Sequence, residues 1–302
     1  MVTNLDLETC HRSSAALKAR AFSYVCPATV AEALDAFAAA GSEASFIAGG
    51  QSLVPALALR LQAPECLVDI GRIAELRGIS QDGEWLRLGA LTRHVEVHDH
   101  PLIAACAPLL ALAAPFVAHP AIRNRGTLGG SIALADPASE FPAMMLAVAA
   151  EMEIAGPAGR RRVPATDFFQ DLYQTAIEPG ELLVAIHIPV ARPGHRCAFD
   201  EFARRRGDYA IVGCGVMLAL PADVVNEARI AFLSVGSTPL RARAAEAALN
   251  GRPLDAAAIR DAQAALASDL DPADDEQVPA AMRLHLARVL LGRLLGKIAA
   301  AA

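Results

Sequence analysis

Two glycine-pair segments hold the residues best suited to bind an anion. In the first, the apolar run Ala44-Ser45-Phe46-Ile47 reads as a buried strand that delivers the chain to Ala48-Gly49-Gly50-Gln51-Ser52. Adjacent glycines lack the Cβ that would hold an anion off the backbone N–H groups. Successive N–H groups in such a turn form an anion-binding nest, Ser52 adds a hydroxyl, and a following helix adds positive potential. A pyrophosphate fits this chemistry. A glycine pair after a strand also serves as a plain tight turn. The segment is neither GxGxxG with a later acidic ribose ligand nor a lysine-bearing phosphate loop, which excludes both common nucleotide motifs.

The second segment is denser in donors. Ile122-Arg123-Asn124-Arg125-Gly126-Thr127-Leu128-Gly129-Gly130-Ser131 supplies three glycines, two hydroxyls, one amide and two arginines. It runs through Ile132-Ala133 to Ala135-Asp136-Pro137-Ala138-Ser139-Glu140. Such a concentration suits a negatively charged ligand. It equally suits a surface loop capped by Asp136 ahead of a helix over Phe141 to Ala150.

The elements around these segments set the fold class. Thr29 and Glu32 have capping-box spacing at the start of a helix whose stripe is Val30, Ala33, Leu34 and Phe37, and Gly41 ends it. Leu53 to Leu61 reads as a helix. Cys66 to Ile70 and Trp85 to Ala90 read as strands, with a hairpin turn at Gln81-Asp82-Gly83-Glu84. This alternation predicts an α/β or α+β layout. Thr92 to Val97 and Pro101 to Val117 read as proline-broken helices, and Glu151 to Ala155 as a strand turned back at Pro157-Ala158-Gly159. After Leu172 come strand patterns over 181–189, 196–202, 210–220 and 228–234. Helices over 240–249, 255–270 and 279–301 follow. Strands followed by helices predict a separate C-terminal α+β domain with an antiparallel sheet, bounded near Pro179-Gly180. The expected organisation is an arm over 1–20, one domain over 21–178 and another over 179–302.

Bulk properties exclude several classes. The chain has 302 residues, 54% hydrophobic, 20% charged, with net charge −6 and mean hydropathy +0.34. It has length for two or three cores and no nucleic-acid footprint. The runs Arg160-Arg161-Arg162 and Arg204-Arg205-Arg206 are too short for a polybasic anchor. The longest apolar stretch, Leu102 to Ala118, is broken by Pro108 and Pro115 and predicts no membrane span. Six scattered cysteines form no C-x-x-C pair, so no zinc or iron–sulfur site is expected within the chain. No apolar leader opens the chain, and reduced thiols in a cytoplasmic setting are the plain reading.

Taken together and in order, A-G-G-Q-S-L, I-R-N-R-G-T-L-G-G-S and A-D-P-A-S-E resemble the FAD-binding medium subunit of the molybdenum hydroxylases, the xanthine dehydrogenase and carbon monoxide dehydrogenase family. The resemblance continues in Glu178-Pro179-Gly180-Glu181-Leu182-Leu183, in Arg204 to Ala210 and around Pro279 to Leu295. It implies an α+β fold: a two-subdomain, PCMH-like FAD-binding domain and a C-terminal α+β domain closing over it. It implies FAD held by Phe46, Ile47, Ala48, Gly49, Gly50, Gln51, Ser52 and Leu53 on one side. Ala118, Thr127, Gly130, Ser131 and Ala133 line the other, with Ser139, Glu140 and Leu183 as further contacts. The chain departs from the family pattern in two places. Ser131 stands where many members carry Asn, and Asp200 or Glu201 where many carry Lys.

The resemblance implies partners: a large subunit with a molybdenum cofactor, a small subunit with two 2Fe-2S clusters, and a possible dimer of heterotrimers. This chain would take electrons from the clusters and pass them to an external acceptor. No side chain is expected to act as nucleophile, because the redox chemistry belongs to the cofactor. The rival functions are a stand-alone FAD oxidoreductase of vanillyl-alcohol-oxidase-like fold and a scaffold without FAD. His94 and His98 share a helical face but lack further ligands, so His94, His98 and His100 read as a solvated helix end. Trp85 reads as a core anchor or partner contact.

Overall fold

The computed structural model describes residues 19–276 and 278–301. The expected arm over 1–20, and Cys10 with it, lies almost wholly outside the described residues. The first unit is a three-stranded parallel sheet in which Cys66–Asp69 lies between Ser23–Val25 and Ala44–Ile47. The helix Val30–Ala40 covers it. Thr29 Oγ1 accepts from the Glu32 N–H at 3.2 Å, and the Glu32 carboxylate accepts from the Ala28 N–H at 2.8 Å. Gly41, at φ 73°, closes the helix as expected of a residue without Cβ.

The second unit is a five-stranded antiparallel sheet. Its order is Ile79–Asp82, Trp85–Gly89, Leu182–Pro189, Glu151–Gly156, Gly159–Pro164. The central strand, Leu182–Pro189, is buried on both faces. Leu182 and Val184 face the core of the first unit with Val68 and Ile73, while Leu183, Ile186 and Ile188 face Leu86, Leu88 and Phe141. This corrects the expected domain boundary at Pro179-Gly180. The strand after it completes the N-terminal sheet by pairing with Trp85–Gly89 on one side and Glu151–Gly156 on the other. Its near-continuous apolar run reflects burial on two faces, which local turn residues do not reveal.

The C-terminal domain is an antiparallel sheet of His195–Ala203, Ala210–Ala219, Glu227–Leu233 and Leu240–Arg241. Alternation divides its faces. Val212, Cys214, Val216 and Leu218 pack on the helices Arg243–Leu249, Ala256–Asp269 and Ala280–Ala299. Phe199, Ala231 and Leu233 face the N-terminal domain. Gly213 and Gly215 lie on that second face, and a Cβ at Gly215 would overlap the Met144 sulfur of the helix Glu140–Ala147. The helix expected from Leu240 begins only at Arg243, because Leu240 and Arg241 pair with Phe232 and Ala231 as an edge strand.

Candidate cofactor site

The first glycine pair forms an open turn between the strand Ala44–Ile47 and the six-residue helix Leu53–Ala58. Gly50 lies at φ 71°, a conformation costly for other residues. A Cβ at Gly49 would overlap the Arg125 carbonyl oxygen, so only glycine allows this turn to meet the second segment. Gln51 Nε2 donates back to the Gly49 carbonyl at 3.0 Å and braces the turn. Among the described residues, none accepts from the backbone N–H groups of Gly49, Gly50, Gln51 or Ser52. Backbone donors left without a protein acceptor in a braced turn demand a ligand or water, and four in succession match the negative oxygens of a pyrophosphate.

The second glycine pair is built differently. Leu128–Leu134 is a helix, not a loop, with Thr127 as N-cap and Thr127 Oγ1 accepting from the Gly130 N–H at 3.1 Å. The Leu128 N–H donates to Thr92 at 2.8 Å and that of Gly129 to Ala90 at 2.9 Å. Those of Ser131 and Gly126 donate to Thr127 and Ile122. Arg93 and Thr127 form an antiparallel bridge. The amides of Gly126 and of Leu128 to Ser131 are therefore engaged by the protein. The glycines serve close packing: a Cβ at Gly129 would meet Ala90 at 2.6 Å, and one at Gly126 would meet His94 Cδ2 at 2.6 Å. The expectation of a donor-rich anion cradle fails here for the backbone. What remains open are Gly130, Ser131 and Ala133, on the outer side of the helix. A Cβ built at Gly130 would sit 3.9 Å from the Ala48 Cβ, so the two segments do face each other.

Arg123 also turns inward. Its Nη1 donates to the carbonyls of Val117 at 2.9 Å and Ala118 at 2.8 Å, which fixes Ala118 at φ 45° beside the short helix Pro120–Arg123. Ser139 precedes Glu140, the first residue of the helix Glu140–Ala147. Burial pushes the Glu140 carboxyl up to about 7, against the opposing pull of its own backbone N–H. Asp136 is buried and accepts from the Ala138 N–H at 2.9 Å.

Two expected contacts are occupied by packing. The Phe46 ring stacks on Phe37 at 4.8 Å, and Leu183 is 3% exposed in the central strand. The side chain of each belongs to a core. Ile47 lies under the turn, its Cδ1 3.5 Å from where a Gly50 Cβ would stand. Ser52 makes no capping bond, and Leu53 is half-buried.

His94 corrects another expectation. It is 5% exposed, not solvated, and its ring stacks on Phe141 at 5.2 Å beneath Gly126. Burial, with Arg123 nearby, depresses its pKa to about 4, so it is neutral. Its Nδ1 and the Thr92 hydroxyl are buried without a protein partner. His98 instead pairs with Asp99 at 2.6 Å, and His100 caps the helix Pro101–Cys106. No cluster fit for a metal occurs among the described residues. Trp85 lies under the Arg162 guanidinium at 5.8 Å, away from both segments. The template role of Ala90, Thr92 and His94 left no sequence signal, because it rests on contacts across more than thirty residues.

Residues 20–191 match the family model described as the FAD binding domain in molybdopterin dehydrogenase, and residues 197–298 match the CO dehydrogenase flavoprotein C-terminal domain. The chain is 38% identical to the carbon monoxide dehydrogenase medium chain of Hydrogenophaga pseudoflava, over 91% of this chain and 96% of the relative. It is 39% identical to the 6-hydroxypseudooxynicotine dehydrogenase complex subunit alpha of Paenarthrobacter nicotinovorans, over 93% and 95%. A chain of the quinoline 2-oxidoreductase structure from Pseudomonas putida 86 superposes with TM-score 0.89 at 41% identity, covering 94% of this chain and 99% of that one. The fold and site are those of a flavoprotein subunit of an oxidoreductase. The chain belongs to the FAD-binding medium subunits of the molybdopterin dehydrogenases, the carbon monoxide dehydrogenase and xanthine dehydrogenase type of molybdenum hydroxylase. FAD is its cofactor, and it is a medium subunit of a multisubunit complex. The matches divide the chain between 191 and 197, in agreement with the strand pairing.

Proposed function

We propose that this chain is the flavin relay of a heterotrimeric molybdenum hydroxylase. It works with a large subunit carrying the molybdenum cofactor and a small subunit carrying 2Fe-2S clusters, with two heterotrimers forming a dimer in the cytoplasm. Electrons pass from the clusters to this chain and on to an external acceptor. Bound FAD supplies the redox chemistry. The observation that carries the reading is the run of unpaired N–H groups from Gly49 to Ser52, set against the outer face of Gly130, Ser131 and Ala133. In this reading the first turn binds the pyrophosphate, Ser131 and Ser139 orient the cofactor by hydroxyl hydrogen bonds, and the C-terminal sheet closes the pocket beside Glu140. Among the described residues no helix is long and apolar enough to cross a membrane.

The hydroxylated substrate is set elsewhere in the complex. Relatives named for carbon monoxide, 6-hydroxypseudooxynicotine and quinoline resemble this chain at 38%, 39% and 41% identity, so the flavin chain does not track the substrate. The test is the visible spectrum of the purified full chain with its metal content. Near-stoichiometric flavin, with molybdenum and iron co-purifying through partner chains, is the expected result. A colourless chain that stays colourless after incubation with FAD overturns the flavin role. Flavin with no metal-bearing partners overturns the relay.

A further inference from the structure

One side chain holds the loop that follows the helix Pro108–Ala113. Arg123, the last residue of the short helix Pro120–Arg123, reaches back over it. Its Nη1 donates to the Val117 carbonyl at 2.9 Å and the Ala118 carbonyl at 2.8 Å, with the Pro115 carbonyl at 3.4 Å as a weaker third. None of these three carbonyls accepts from a backbone N–H among the described residues. Val117 is buried, and a carbonyl left without a donor in such a place costs its lost hydration. Ala118 lies at φ 45°, in the left-handed region that an L-residue enters only at a cost. The guanidinium thus fixes a backbone shape over Val117 and Ala118 that the main chain's own hydrogen bonds do not keep.

The same loop carries the other domain. The Phe116 ring meets Phe199 of the strand His195–Ala203 edge-on at 5.1 Å. Gly207 lies in the turn between that strand and Ala210–Ala219, at φ 86°. A Cβ on it would stand 2.7 Å from His119 Cε1 and 3.0 Å from the Ala118 carbonyl oxygen. That oxygen is therefore held by Arg123 and packed upon by Gly207. Residues 116–119 form a shelf on which the C-terminal domain rests, and Arg123 sets the position of the shelf. The residue type suits the task. A planar guanidinium fixes the directions of its donors, whereas an ammonium is a single rotating point charge. Arg204, Arg205 and Arg206 are exposed in the turn that the shelf supports.

We infer that Arg123 is a positioning residue of the flavin pocket: by bracing residues 115–118 it seats the C-terminal domain at the distance that closes the pocket. The flavin half of this inference rests on the proposed placement of FAD beside Ala118 and the C-terminal sheet; the seating of the domain does not. Arg123 acts through the loop and not by touching the cofactor. With its donors removed, Ala118 relaxes from its left-handed conformation and its carbonyl moves. Gly207 and the turn over 204–208 then lose their seat, and the pocket widens and admits water. A lysine at this position reaches one of the two nearer carbonyls and recovers part of the effect.

The test uses the full-length chain with and without FAD. In the apo chain, limited trypsin digestion should cut Arg123→Met several-fold faster than the wild type at Arg204 to Arg206, and no faster at Arg160 to Arg162. Arg123→Lys should fall between the two, and it carries the same readouts should Arg123→Met fail to fold. Arg123→Met should weaken FAD binding by about tenfold, and Arg123→Lys by less. At saturating FAD, the visible circular dichroism of the flavin should change in Arg123→Met and return towards the wild type in Arg123→Lys. Gly207→Ala attacks the same seat from the other side, so its effect on FAD affinity should not add to that of Arg123→Met in the double variant. Wild-type cutting at Arg204 to Arg206, or equal acceleration at Arg160 to Arg162, overturns the seating. Faster cutting with unaltered FAD affinity and dichroism overturns the link to the flavin. Additive losses overturn the shared shelf. A wild-type chain that takes up no FAD, with faster cutting still seen in Arg123→Met, sinks the proposed function and leaves the seating standing.

Discussion

At Gly49-Gly50 the backbone amides meet no protein acceptor, whereas at Gly129-Gly130 they are bonded to Ala90 and to the Thr127 hydroxyl. The same dipeptide thus serves two ends. In the first turn, absence of a Cβ lets the chain adopt φ 71° at Gly50 and leaves donors free for a ligand. In the second helix, it lets the chain approach Ala90 and His94 closely enough to be clamped. Composition made the second segment look like the stronger anion site. The structure reverses that order, because a donor counts for a ligand only when the protein has not already engaged it.

The contrast breaks most sharply under alanine. Gly49→Ala pushes the turn off the Arg125 carbonyl, and overpacking of this kind costs roughly 1–3 kcal/mol. The expected outcome is a loss of FAD affinity of about tenfold to a hundredfold, with most of the cost read in the flavin titration and little in the apo melt. Gly129→Ala should show the opposite division, with a destabilised apo chain melting lower by roughly 1–3 kcal/mol. If both variants shift the same readout, the division of labour is wrong.

Acid should attack the second segment alone. His94 has a folded pKa depressed from 6.5 to about 4. Its neutral ring stabilises the fold above the unfolded value. That contribution is lost as pH falls from about 6.5 through about 4, a change of up to about 3 kcal/mol. Hydrogen exchange at Leu128 and Gly129 should accelerate across this window before exchange in the strand Cys66–Asp69 does. Equal acceleration in both would remove His94 from the clamp.

Smaller effects sharpen the picture. Gly50→Ala meets positive φ and Val54 Cγ2 at 3.1 Å, and should weaken FAD binding by roughly 1 kcal/mol, about fivefold. Ser131→Ala removes one hydroxyl from a half-buried position and should weaken it by about 1 kcal/mol or less, with no change in the apo melt. An unchanged FAD titration for Ser131→Ala would take that residue out of the site.

Much of this was legible in the chain. The capping of the first helix by Thr29 and Glu32, the turn at Pro157-Ala158-Gly159 and the C-terminal helices all rest on near neighbours, so local residue types specify them. The ordered set of segments from Ala48 to Glu140 sufficed to place the chain among FAD-binding medium subunits, because such a set demands one arrangement of strand, turn and helix. Two features were not legible. Leu182–Pro189 looked like the start of the C-terminal domain, yet its partners Trp85–Gly89 lie almost a hundred residues earlier. His94 looked solvated until Phe141 and Gly126 covered it.

The sequence by itself determined the family, the cofactor and the identity of the two glycine segments, since these depend on residue types at short spacing. Only the tertiary structure decided which amides stay free and where the domains part. Those properties belong to pairs of residues distant along the chain, and packing alone brings them within hydrogen-bonding or electrostatic reach.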